Sequence, residues 1–177
     1  MALGKKHDFV NLLALPFCLY YTPKEFYLPF TAGYLLGTFL LSPDLDLPQS
    51  HPSRRWKTLR FIWRPYQLLS RHRGVSHVPV LGTFLRLGYL IVLFVFLYFV
   101  LLGISRQYAP QLTELLLALD PFELLGYFAQ REEVFYFALG VVASEVFHVA
   151  LDVFDSFFAK RRRRKTRGKK YNLFSGG

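Results

Sequence analysis

Apolar residues fall in long blocks along this chain, and polar residues gather between them. From Leu87 to Ile104 there is no charged residue at all. That run reaches the roughly 18 residues a helix needs to cross a bilayer, so Leu81 to Ile104 is predicted to be a membrane helix. Arg86 and Arg106 flank it as snorkelling anchors would. A second long block, Glu133 to Phe158, is apolar except for Ser144, Glu145, His148, Asp152 and Asp155. It is predicted to be the returning membrane helix. Two shorter blocks lead the chain: Phe9 to Tyr21, with Pro16 inside and Pro23 just after, and Glu25 to Leu41, with Pro29, Gly33 and Gly37. Neither comfortably spans a bilayer alone. Together they predict a shallow helical hairpin, or a re-entrant element buried in protein. Either returns the chain to its starting side and keeps His7 on the side of Asp44. Leu112 to Phe128, with Pro110 and Pro121 at its breaks, reads as a short external helix pair.

The one long polar run lies between two apolar blocks, at residues 42–77. Ser42 to Ser53 holds three prolines and reads as a loop. From Arg54 to Arg71, Trp56, Leu59, Ile62 or Trp63, and Tyr66 recur at helical spacing with basic residues between them. This predicts a basic amphipathic helix at a membrane interface, with Pro65 as a break or kink. No internal repeat and no strand-period alternation is present. The expected architecture is all-α: a polytopic α-helical membrane protein with a short N-terminal hairpin, an interfacial helix and at least two long membrane helices. Residues 1–158 would form one membrane-embedded, metal-binding domain and residues 159–177 a basic, disordered tail.

Composition agrees, at 53% hydrophobic and 18% aromatic over 177 residues. The single Cys18 excludes an intramolecular disulfide and reads as a packed, inert thiol. Lys5 and Lys6 resemble the start of a signal peptide, but His7, Asp8 and Asn11 follow and no small-residue cleavage site appears. The net charge of +10 is unevenly spread. Residues 42–86 carry eight Lys/Arg and Lys160 to Lys170 carries nine, whereas Ser105 to Glu133 carries only Arg106 and Arg131 against five acids. By the positive-inside rule, residues 42–86 and the C-terminus face the cytoplasm. Lipid, with anionic headgroups at the basic tail, then accounts for the charge, and no nucleic-acid partner is expected. Oligomeric state is not legible.

The polar run opens with Asp44 and Asp46 and closes with His72 and His77, ligand types that hard and borderline divalent metals choose. Taken alone, Asp beside Pro is common in turns, and the two histidines are five apart, which needs a turn at Gly74 to bring them together. His148 and Asp152 are four apart and share a helix face, with Glu145 close to it. Ionisable residues inside a membrane helix are expensive and point to function. The alternative is a His–Asp hydrogen bond that merely joins helices. His7 adds a further candidate, while His51 reads as surface. His7, Asp44, Asp46, His72, His77, His148 and Asp152 exceed the needs of one four-coordinate ion and suit a dinuclear centre. With no thiolate among them, Zn, Mn and Fe are all admissible. Glu145 would orient a ligand or act as general base, and Arg71 and Arg73, flanking His72, would hold a phosphate.

The motifs resemble a family. SPDLD at 42–46, RRW at 54–56, W-x-P-Y at 63–66, H-R-G-x-S-H at 72–77, G-T-x-x-R at 82–86 and the late H-x-x-x-D at 148–152 resemble a bacterial family of metal-binding membrane proteins of unknown function. That family is similar to the YdjM-type membrane-bound metal-dependent hydrolases. The resemblance covers residues 4–158. It implies metal binding and suggests hydrolysis, but supplies no substrate. The expected protein is a metal-dependent hydrolase of a bacterial inner membrane, acting at the cytoplasmic face on a phosphorylated lipid or other amphipathic ester. A non-enzymatic metal-binding or structural protein is the alternative. Lys57, Arg64, Pro65, Ser76, His77, His148 and Asp152 also partly resemble the motifs of vanadium-haloperoxidase-like lipid phosphatases, which use a histidine nucleophile and no metal. Three departures count against that likeness. The first two motifs are too close together, no glycine precedes His77, and Val142 stands where a phosphate-binding arginine belongs.

Overall fold

The computed structural model describes the backbone of residues 3–70, 78 and 80–174, and the side chains of residues 6–70, 78 and 80–157. Among the described residues every regular element is helical. The helices are α1 (Leu3–Tyr20), α2 (Tyr27–Phe39), α3 (His51–Arg55), α4 (Arg64–Leu69), α5 (Leu81–Tyr108), α6 (Pro110–Leu117), α7 (Pro121–Ala129) and α8 (Glu132–Phe174). Short 3₁₀ segments cover Lys24–Phe26, Pro43–Asp46 and Lys57–Trp63.

The N-terminal hairpin forms as the apolar pattern predicts: α1 and α2 are joined by a tight turn at Thr22–Phe26 and both pack on α8. The pairing of α2 with α8 is the most extensive in the molecule, and its reason is local sequence. Gly33 and Gly37 are one turn apart on α2, a small-xxx-small stripe that lets two backbones approach. A Cβ on Gly33 would lie 2.0 Å from the Phe137 carbonyl oxygen, and one on Gly140 would lie 2.2 Å from that of Phe30. α6 and α7 each begin with proline, where the missing N–H costs nothing. Asp120 caps α7 by accepting from the N–H groups of Phe122 (2.7 Å) and Glu123 (3.3 Å). They are the short pair expected between the two long helices.

Two helices, α5 over Leu81–Tyr108 and α8 over Glu132–Phe157, are long and apolar enough to cross a membrane, by length and composition. They differ in cover. None of the most apolar stretch of α5 is buried, against 28% of that of α8. The backbone of α8 stays helical to Phe174, through the basic run for which a disordered tail is expected. Lysine and arginine are good helix formers, which is consistent with that path.

The interfacial segment departs from expectation. A single helix from Arg54 is replaced by α3, a 3₁₀ stretch and α4. Lys57 takes a positive φ of 46° and breaks the helix there, while Pro65 sits in the first turn of α4 and helps start it. The periodicity is therefore only partly realised. Trp63 and Tyr66 are buried with Leu41 and Leu45, Trp56 packs against them, and Leu59 is exposed. This aromatic cluster also takes in Leu87, Tyr89 and Leu90, so it wedges the polar run between the end of α2 and the start of α5.

Candidate metal centre

The site grows from the way α1 lies against α8. The Asn11 side-chain amide donates to the Ser144 carbonyl (3.1 Å) and lies 3.4 Å from the Thr38 hydroxyl, while the Tyr34 hydroxyl donates to the Asn11 carbonyl (2.9 Å). One register is thereby fixed. One turn before Asn11 is His7, and one turn after Ser144 is His148, so antiparallel packing sets the two imidazoles against each other, with ring centroids 4.6 Å apart. The neighbours of His7 hold the same register. Lys6 donates to Asp155 on α8 (2.7 Å), and Asp8 accepts both arms of the Arg55 guanidinium on α3. Arg55 also donates to the Phe39 carbonyl at the end of α2 (3.1 Å).

Asp44 arrives from the other side. The 3₁₀ turn Pro43–Asp46 is pinned by Leu45, whose side chain is fully buried beside Trp63 and Tyr66. The Leu45 carbonyl accepts from the Gln67 amide (2.9 Å) and the Ser53 hydroxyl (3.3 Å). With Leu45 held inward, the two aspartates diverge. Asp44 reaches α8, and Asp46 turns into a cleft beside Arg64 and Gln67.

Four side chains therefore meet. His148 Nε2 lies 3.5 Å from Asp44 Oδ2 and 3.6 Å from Asp152 Oδ2, and His7 Nε2 lies 3.5 Å from Asp152 Oδ1. His7, His148 and Asp152 each offer a donor atom within 4.8 Å of the others. These separations are too long for N–H···O hydrogen bonds, which run to about 3.2 Å. They are close to the edge of a tetrahedron around an ion bonded at about 2.0–2.1 Å, roughly 3.3–3.4 Å. Both imidazoles are buried, yet His7 Nδ1 and His148 Nε2 have no hydrogen-bond partner. Buried polar atoms are seldom left so, and a cation held by Nε2 and two carboxylates would satisfy His148. On donor type, spacing and the unmatched His148 nitrogen, the residues present fit a divalent metal.

Of the other candidates, Arg71, His72, Arg73 and His77 lie outside the described residues. Asp46 is two residues from Asp44 but faces the cleft. His51 is exposed, as expected. Glu145, expected as orienter or general base, meets two residues of α5. It is buried, its Oε1 lies 2.8 Å from Arg86 Nη2, and its Oε2 accepts from the Thr83 hydroxyl. Arg86 is no snorkelling anchor: it is 1% exposed and reaches inward. The signal for this pair was present in the sequence, since an Arg and a Glu set in two apolar blocks each need a partner. Tyr66 lies beside the same pair. Burial pushes its hydroxyl above the ordinary tyrosine value, and the Arg86 guanidinium pulls in the opposite direction.

Comparison with known proteins follows the same line. The family described as "Uncharacterized metal-binding protein (DUF2227)" matches residues 2–162. An "Uncharacterized protein" of Aquifex aeolicus (strain VF5) is 48% identical over 140 residues, covering 78% of this chain and 97% of the relative. No solved structure matches.

Proposed function

Since the chain belongs to this uncharacterized metal-binding family, we propose that His7, Asp44, His148 and Asp152 hold its divalent ion, and that the protein is an integral membrane hydrolase with this centre at the cytoplasmic face. Membrane insertion is supported by α5, whose Phe84, Val92, Phe96 and Phe99 stand exposed along a helix long enough to cross a bilayer. Orientation rests on the positive-inside rule: eight Lys/Arg fall in residues 42–86, on the side of Asp44. The inner membrane of a bacterium is the location this implies.

The observation that carries hydrolysis is asymmetric burial. The His7 and His148 side chains are 5% and 7% exposed, whereas those of Asp44 and Asp152 are 35% and 39% exposed. A structural site closes on all sides, while a catalytic one keeps a position open to water and substrate. A bound divalent ion would supply polarisation of a substrate oxygen and a nucleophilic water. The chain does the rest. His7 and His148 grip from the buried side, and Asp44 and Asp152 close the set from the open side. Zn, Mn and Fe all suit this N/O set. A second ion would draw on Asp46, His72 and His77.

The test is metal content and turnover in detergent-purified protein. Wild type is expected to carry at least one divalent ion per chain and to hydrolyse members of an ester and phosphoester panel, with chelation abolishing both. His148→Ala and Asp152→Asn are each expected to lose the metal while keeping helical content. A wild type that takes up no metal under any loading condition overturns the centre. One that holds metal tightly yet turns over nothing overturns hydrolysis alone.

A further inference from the structure

The Asp44–Asp46 turn has two faces, and only one of them meets His7, His148 and Asp152. On the other face lies a cleft of about 420 Å³, lined by Asp46, Leu47, Pro48, Arg64, Leu68 and Ser70, together with Gln67. That volume is in the range of small-molecule sites. Its polar groups divide into used and unused. The Gln67 amide is committed to the Leu45 carbonyl and the Ser53 hydroxyl. The Ser70 hydroxyl is buried without a hydrogen-bond partner, and Arg64 makes no ion pair among the described residues. Asp46 adds a carboxylate to the wall, the rest of the described lining is apolar, and Leu47, Leu68 and the neighbouring Leu69 are exposed as a lip.

We infer that this cleft, beside the turn that carries Asp44, binds an amphipathic phosphate monoester. Its phosphate would sit on Arg64 and the Ser70 hydroxyl, and its apolar body along Leu47, Pro48 and Leu68. A guanidinium pairs with two phosphate oxygens, and a phosphate monoester still has a third for the Ser70 hydroxyl. A carboxylate has none to spare.

The experiment is calorimetric titration of the full chain, metal-loaded in neutral detergent. The probes are dihexanoylglycerol phosphate, its neutral dihexanoylglycerol counterpart, glycerol phosphate and inorganic phosphate. The short-chain lipid phosphate is expected to bind about tenfold more tightly than glycerol phosphate, and the neutral counterpart not at all. Arg64→Gln is expected to weaken it about tenfold, the worth of one charge-assisted contact, with metal content unchanged and partial rescue in Arg64→Lys. Ser70→Ala is expected to weaken it by a smaller factor. Competition by long-chain phosphatidic acid in vesicles would assign the ligand to the bilayer. Failure of vesicles to compete would assign a water-borne amphipath with the same head. Equal binding of glycerol phosphate, or wild-type affinity in Arg64→Gln, overturns the subsite. Arg64-dependent binding in a protein that holds no metal overturns the metal centre and leaves the subsite standing.

Discussion

Two buried polar groups sit less than one helical turn apart on α8, and they are built in opposite ways. Glu145 is closed: Arg86 lies 2.8 Å from one oxygen, and the Thr83 hydroxyl donates to the other. His148 is open: its nearest carboxylate oxygens stand at 3.5 and 3.6 Å, and its Nε2 has no hydrogen-bond partner. In the first, two opposite charges answer each other within the protein at close range. The second is complete only with a cation among its donors. Burial alone does not separate the two, since Glu145 and His148 are both hidden. Partner distance does.

The largest effect expected from this contrast is on the closed group. Arg86→Met leaves Glu145 buried and unpaired, and is expected to cost about 3–5 kcal/mol, read as a lowered unfolding midpoint in detergent. Arg86→Met combined with Glu145→Met removes both charges and is expected to recover most of that loss. If the single variant is as stable as wild type, the pair is not the closed unit described here. Next in size is the response of the open group to metal. At a free metal concentration about 100 times the dissociation constant, wild type should gain about 2.7 kcal/mol. The Arg86/Glu145 double variant should gain the same, and His148→Ala nothing. A metal-induced shift that survives in His148→Ala would place the ion elsewhere. The smallest effect is geometric. A Cβ at Gly33 would meet the Phe137 carbonyl oxygen at 2.0 Å, so Gly33→Ala must part α2 from α8 at a cost of about 1–3 kcal/mol. Unchanged thermal stability in that variant would mean the two backbones are not in contact.

Much of this molecule could be read from residue order. The long apolar blocks and the proline-marked pair between them mapped directly onto helices, because block length and proline position constrain a chain locally. His148 and Asp152 were legible because i, i+4 spacing on a helix is itself a spatial statement. His7 was the weakest candidate by itself, and what places it, the register set by Asn11, is a contact between α1 and α8 that no local pattern encodes. The neighbours of Glu145 were hidden for a similar reason. Three residues from His148 is an offset of about 60° around the axis, enough to face α5 rather than α1. Spacing gives that angle but not which neighbour stands there. Arg86 was read from its place at the end of an apolar block, where an exposed arginine is the common case. The break at Lys57 was illegible because it lies in a backbone angle that its side chain does not announce.

The glycine seam between α2 and α8 bears on how the centre keeps its dimensions. A helix pair spaced by side chains can drift as rotamers change, but one spaced by backbone against backbone has no such slack. Gly37 lies against Val141 and Ser144, one turn before His148, and seven residues further on from Gly37 the chain delivers Asp44. Metal sites hold their ligand distances to within about 0.2 Å. The seam thus works as a gauge block, passing a rigid main-chain spacing along the last turn of α2 to the gap in which an ion would sit. Selection on that gap could act on residues that never touch a ligand.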